Sequence, residues 1–194
     1  FDDKQGFWYA GASGDIDADG DLDVVMFNFH VQNNKVQSQI LWNDGKGNFT
    51  YDSTGIGNIP LVDQAEFRDV NRDGFLDLVI DHIDTQSVRT PIVNVMWGNG
   101  SGFSLTHASE FKLPSDAYTS DIAFADLNSD GFDEILIDGI NDSGVCWLRI
   151  YQSTDKGLTF SDVSSKYIDL NTSTVGFAHL RVTDIDQDGL LDIF

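Results

Sequence analysis

The chain has 194 residues, 41% hydrophobic and 12% aromatic, which is enough for a packed core and too apolar for a disordered chain. Its 11 basic residues face 32 acidic ones, a net charge of −21, so phosphate backbones and anionic lipid would repel it and nucleic acid is not an expected partner. No stretch of 18 apolar residues is present to insert into a bilayer, and the lone Cys146 has no partner for an intrachain disulfide.

The opening Phe1-Asp2-Asp3-Lys4 has no secretory-leader character, so any targeting segment is expected to have been removed or to lie outside this stretch. Apolar runs then occur at 7–12 and 22–29, on either side of an acidic loop at 15–23. A third run, 40–42, leads into a glycine-rich turn that ends at Phe49. The pattern then repeats. Runs at 65–67 and 76–80 flank a loop at 69–77, and 93–97 leads into a turn ending at Phe103. Runs at 122–125 and 135–137 flank a loop at 126–134, and 145–151 leads into a turn ending at Phe160. Runs at 180–182 and 191–194 flank the last loop, 184–192. Each unit reads as strand, acidic loop, strand, variable loop, strand, glycine turn, strand, and no helical periodicity is evident.

The acidic loops start 54, 57 and 58 residues apart, and each of the three phenylalanines follows the first Asp of its loop by 34. Four strands in a unit near 56 residues is the signature of a propeller blade. The expected fold is therefore all-β, a β-propeller of four-stranded antiparallel blades. Its repeats span about 7–60, 61–114, 115–171 and a truncated 172–194. That is about 3.4 blades where propellers close with about 4–8, so 1–194 is expected to be a partial propeller domain. The rest of the ring would come from the same longer chain or from an associated copy.

The loops carry the chemistry. Of the 32 acids 29 are Asp, and half of all the acids fall in the four nine-residue loops. Oxygen-bearing side chains occupy positions 1, 3, 5 and 9, and Gly occupies position 6. These are Asp15, Asp17, Asp19 and Asp23; Asp69, Asn71, Asp73 and Asp77; Asp126, Asn128, Asp130 and Glu134; and Asp184, Asp186, Asp188 and Asp192. Position 7 (Asp21, Phe75, Phe132, Leu190) can offer its backbone carbonyl, which leaves its side chain free to vary. An all-oxygen, multiply charged donor set suits a hard cation with six to eight ligands, hence Ca²⁺; Mg²⁺ would keep more water and demand stricter geometry. The EF-hand shares the opening residues but requires an acid at position 12 and flanking helices; position 12 here is Met26, Ile80 or Ile137. The metal-free alternative for the loops is a set of solvated Asx turns.

The motif Asp-x-[Asp/Asn]-x-Asp-Gly-x-x-Asp between strands, together with Leu-Trp-Asn-Asp-Gly-Lys-Gly-Asn-Phe at 41–49, resembles the FG-GAP/VCBS repeat family, which includes the propeller of integrin α chains. The resemblance implies a propeller, often seven-bladed, with Ca²⁺ between the first two strands of each blade: one ion per acidic loop, up to four here. It implies the position 1, 3, 5 and 9 side chains and the position 7 carbonyls named above as ligands. The third loop departs from the pattern, because Glu134 is one methylene longer and Asp133 stands where the other loops have Leu, so shifted ligands or weaker binding are expected there. Such ions would be structural rather than catalytic. Sites of this extracellular kind have Kd of roughly 10⁻⁴–10⁻³ M, which implies an extracellular, cell-surface or periplasmic location.

Up-and-down strand order places acidic loops and glycine turns on one face. The variable segments 28–39, 81–92 and 138–144 and the connections 52–64 and 162–176 fall on the other. His30, His82, Asp84, Arg89 and Asn141 lie there, on the expected recognition face for a protein or glycan ligand. His82 and Asp84 are a weak catalytic signal. No Gly-x-Ser-x-Gly, His-Glu-x-x-His or phosphate-cradling loop occurs, and His107 and His179 have no evident partner, so the reading leans away from an enzyme. Trp8, Trp42, Trp97 and Trp147 read as blade-packing residues and Cys146 as a buried apolar one. The expected function is a calcium-binding scaffold for protein or carbohydrate recognition. The alternative is the propeller portion of a secreted polysaccharide-degrading lyase or hydrolase.

Overall fold

The computed structural model describes residues 8–28, 38–57, 59, 61–83, 91–114, 117–155, 157–169 and 179–194. Strands Trp8–Gly14 (β1), Asp23–Asn28 (β2), Gln39–Asn43 (β3) and Phe49–Asp52 (β4) form one antiparallel sheet in the order β1-β2-β3-β4. Val62–Arg68 (β5), Asp77–Ile83 (β6), Pro91–Met96 (β7) and Ala108–Lys112 (β8) form a second, and Ala117–Ala125 (β9), Glu134–Asn141 (β10), Cys146–Ser153 (β11) and Phe160–Asp162 (β12) a third, each in the same meander order. Val182–Thr183 (β13) pairs with Asp192–Ile193 (β14) as a hairpin. The molecule is thus all-β, built of blade-like four-stranded sheets. None of the helices among the described residues is long and apolar enough to cross a membrane.

Contacts divide the chain into two units, Phe1–Asp69 with Asp73–Leu113, and Val70–Arg72 with Pro114–Phe194. In the first unit the first two sheets share one core. Strand alternation sends Val25 and Phe27 of β2 and Leu78 and Ile80 of β6 into it, all fully buried with Ile16, Ile40 and Met96. Ile56 and Ile59, between β4 and β5, seal the same core. Phe103 lies in it too, its ring centroid 5.7 Å from that of Phe67 and its N–H donating to the Gly55 carbonyl at 2.6 Å. In the second unit Leu136, Leu148 and Ile150 of the third sheet pack with Val163 and Leu180, against which Val182 and Ile193 of the hairpin rest.

In each of the three four-stranded sheets the first-to-second strand pairing carries a register shift, between Trp8 and Ala10, between Val62 and Gln64, and between Asp138 and Gly139. These are β-bulges of one extra residue at corresponding heights of the three sheets.

Several expectations need correction. The second strands run past the apolar runs that announced them: β6 continues through Asp81 and His82, and β10 through Asp138 to Asn141. His82 is therefore a strand residue and not a loop residue. Helix is nearly absent but not wholly so. Leu105–His107 is a 3-10 turn capped by Ser104, whose hydroxyl accepts the Thr106 N–H. Ser164–Tyr167 (α1) is one helical turn, where Asp162 accepts the Ser164 N–H at 2.9 Å and the buried Ser164 hydroxyl accepts the Ile150 N–H at 2.9 Å. Phe49 and Phe160 open fourth strands, whereas Phe103 precedes the 3-10 turn and is buried. Cys146 is half-buried at the start of β11, not a core residue.

Gly139 sits on the bulge with no room for a side chain: a Cβ there would overlap the Tyr118 carbonyl oxygen and the Trp147 indole. Gly139→Ala is expected to cost about 1–3 kcal/mol through overpacking, read as a lower denaturant midpoint at unchanged slope.

Candidate metal centre

The four acidic loops share one backbone. Position 4 is left-handed in all of them, with φ of 60° at Ala18, 60° at Arg72, 58° at Ser129 and 62° at Gln187. Gly follows at position 6 with φ between 90° and 99°, a conformation that strains any residue with a Cβ. Side chains hold this shape. The first Asp accepts two N–H groups, those of positions 5 and 6: Asp15 from Asp19 (3.0 Å) and Gly20 (3.1 Å), and Asp69 from Asp73 and Gly74 (both 3.0 Å). Asp126 does the same with Asp130 (3.0 Å) and Gly131 (2.9 Å), and Asp184 with Asp188 (3.1 Å) and Gly189 (2.9 Å). The position 5 carboxylate then accepts the position 7 N–H, from Asp21, Phe75, Phe132 and Leu190, at 2.8–3.0 Å.

Position 9 does different work. Asp23, Asp77 and Glu134 are buried, and Asp192 is half-buried. Asp23, Glu134 and Asp192 reach back to the position 2 N–H groups of Ile16 (3.1 Å), Leu127 (2.8 Å) and Ile185 (2.9 Å). Asp23 also accepts the Asn43 N–H and Asp77 the Gly98 N–H, each at 2.9 Å, which ties each loop to the end of its third strand. Acidic loop and glycine turn thus share one end of the blade. In the first blade Asn43 Nδ2 donates to the Leu22 carbonyl at 3.2 Å. There the side-chain hydrogen bond from Asn48, with backbone N–H groups, holds the Asp44 carboxyl below its ordinary pKa.

Carboxylate oxygens of Asp15, Asp17 and Asp19 lie within 4.8 Å of one another, as do those of Asp184, Asp186 and Asp188. Oxygens bound to one Ca²⁺ at about 2.3–2.6 Å are at most about 5 Å apart, so both donor sets fit around a single such ion. Burial, then the charge of Asp19, raises the Asp17 pKa, so an added positive charge would be favourable there. The third loop is wired differently. Glu134 Oε1 takes the Asn128 side-chain amide at 2.8 Å while Oε2 takes the Leu127 N–H, and burial raises its pKa. Asp130 is shifted down, chiefly by the Phe132 N–H.

Other candidate residues are dispersed. His82 Nε2 meets Asn94 Oδ1 at 2.7 Å, and its buried Nδ1 has no hydrogen-bond partner. His30, Asp84 and Arg89 lie outside the described residues. Asn141 caps a tight turn, its Oδ1 accepting the Ser143 (3.0 Å) and Val145 (2.9 Å) N–H groups. His107 is exposed in the 3-10 turn. His179 has a neighbour after all, with its Nδ1 3.7 Å from Asp121 Oδ2. Trp42 packs on the first core and Trp97 is buried, whereas Trp8 and Trp147 are half-buried.

Two acids escaped notice in the sequence. Asp81 and Asp138 are the fifth residues of β6 and β10, at 1% and 0% exposure. Burial, then the charge of Asp63, pushes Asp81 well above its ordinary pKa. Asp138 is raised to about 6 by burial and then by Asp121, its cross-strand partner, and neither of its carboxylate oxygens has a hydrogen-bond partner. Apolar periodicity had no way to flag an acid inside a strand.

Residues 15–80 match the family model of the FG-GAP-like repeat, a stretch that spans the first acidic loop, the first glycine turn and the second acidic loop. Curated proteins give no match. Repeats of this type form β-propellers, consistent with the blade-like sheets.

Asp23→Asn leaves a buried amide with two backbone donors to serve and one oxygen to do it, and is expected to destabilise by about 1–3 kcal/mol in chemical denaturation. Asp138 has a folded pKa above its unfolded value of 3.8, so its penalty is absent below about pH 4 and complete above about pH 6. Asp138→Asn should therefore stabilise by about 1–2 kcal/mol at pH 7.5 and by nothing at pH 4, measured as the mutant-minus-wild-type difference across a pH series of melts.

Proposed function

We propose that this chain, which carries an FG-GAP-like repeat at residues 15–80, is a calcium-stabilised propeller scaffold for recognition in an extracellular, cell-surface or periplasmic setting. The observation that supports it is the convergence of three carboxylates to within 4.8 Å in the first and last loops, on a backbone that all four loops share. Asp15, Asp17 and Asp19, and Asp184, Asp186 and Asp188, would hold the ion with their side chains, and the position 7 carbonyls of Asp21 and Leu190 would complete the oxygen set. A bound dication supplies charge neutralisation and a cross-link between the first two strands of a blade. The protein supplies the rest: position 1 shapes the loop, and position 9 anchors it to the strand beneath.

Recognition is assigned to the opposite end of the blades. The second-to-third strand connections differ in length there, spanning 29–38, 84–90 and 142–145, whereas the acidic loops are uniform. Variable segments on a uniform scaffold suit a protein or glycan ligand.

Removal of calcium with EGTA should lower the melting temperature by roughly 5–10 °C for each site that is filled at about 100 Kd, which corresponds to about 2.7 kcal/mol per site. A superimposable melting curve with and without chelator would sink the calcium reading. Asp19→Ala should remove one ion from the calorimetric count and leave the rest, because the loops belong to separate sheets.

A further inference from the structure

The third loop differs from its companions in what leans into it. Arg72, at position 4 of the second loop, belongs with the second unit and places its guanidinium carbon 5.5 Å from the centroid of the Phe132 ring, at position 7 of the third loop. Its Nη1 is also the atom nearest to where a Cβ on Gly131 would stand, at 3.6 Å. The guanidinium therefore covers positions 6 and 7 of the third loop, beside Asp130, whose ionised form is favoured chiefly by the Phe132 N–H, with the Arg72 charge a smaller contributor. From another side Gln152 Nε2 donates to Asp130 Oδ2 at 3.4 Å, and Lys166 Nζ holds Gln152 Oε1 at 3.2 Å. Beneath, the Asn128 amide and the Leu127 N–H occupy both oxygens of Glu134.

Each departure of this loop from the repeat points the same way. Asn128, like Asn71 in the second loop, puts a donor and no charge at position 3, but only the third loop has Glu at position 9 to meet it. The extra methylene of Glu134 carries its carboxylate up to that donor. The left-handed φ of 60° at Arg72 is common to all four loops, but the others have Ala18, Ser129 and Gln187 there, and none of these carries a charge.

We infer that Arg72 is the resident cation of the third acidic loop, so that part of this loop's negative charge is offset by the protein itself where the first and fourth loops rely on an external cation. The guanidinium sits over the Phe132 ring in a cation–π contact and brings one positive charge to the side of the loop that carries Asp130. The tip of one acidic loop thereby braces the next. The contrast with the first and fourth loops rests on the calcium reading, but the bracing by Arg72 does not.

Amide hydrogen exchange resolved by loop, on the intact chain in excess EGTA, tests it. Residues 126–134 should exchange about tenfold more slowly than 15–23 and 184–192. Arg72→Met keeps the apolar stem over Phe132 and removes the charge, and should abolish that protection; Arg72→Lys should retain most of it. If 126–134 exchanges as fast as 15–23 in EGTA, or if Arg72→Met leaves its protection intact, the inference is overturned. Added millimolar calcium then separates the two readings. Slowed exchange at 15–23 with little change at 126–134 supports both. No change at 15–23 defeats calcium binding, while the EGTA comparison still decides the role of Arg72.

Discussion

One carboxylate gripping two successive backbone N–H groups recurs at Asp15, Asp69, Asp126 and Asp184, and the rest of the architecture depends on it. That grip bends each loop through a left-handed residue and a glycine, and it brings the end of one strand to the start of the next. It also crowds like charges at the ends of the blades. Five of the nine residues at 15–23 are acids, and their mutual repulsion is the cost of the turn. The donors around those acids differ from loop to loop: in the third, the Asn128 amide serves Glu134 and Gln152 serves Asp130.

Much of the fold was legible in the sequence because the signal repeats. A nine-residue motif at intervals of 54 to 58 residues sets the loops, and alternating apolar runs on either side set the first two strands of each sheet. The extent of the strands was not legible. Asp81 and Asp138 follow directly on Ile80 and Ile137, where a polar residue after an apolar run reads as the start of a loop. Both are buried mid-strand. The first sheet has Phe27 at that place, so the position tolerates a large hydrophobe, and no local rule identifies it as interior.

The candidate site was legible in composition but not in division of labour. Positions 1, 3, 5 and 9 are chemically alike on paper. In the folded chain positions 1, 3 and 5 converge in the first and last loops, while position 9 turns inward and spends its oxygens on Ile16, Asn43, Gly98, Leu127 and Ile185. Burial decides between the two roles, and burial is a tertiary property. The placement of Arg72 over Phe132 and of Gln152 beside Asp130 was invisible for the same reason, since one comes from the second loop and the other from β11, 22 residues beyond Asp130.

The bulges have a further consequence. β1, β5 and β9 each end the strand order of their sheet. A strand from another molecule docking along such a strand would meet an extra residue at the same height every time, where the ladder slips and the local twist increases. An irregularity of this kind spoils the template for in-register pairing, a device by which strand-rich proteins resist edge-to-edge aggregation.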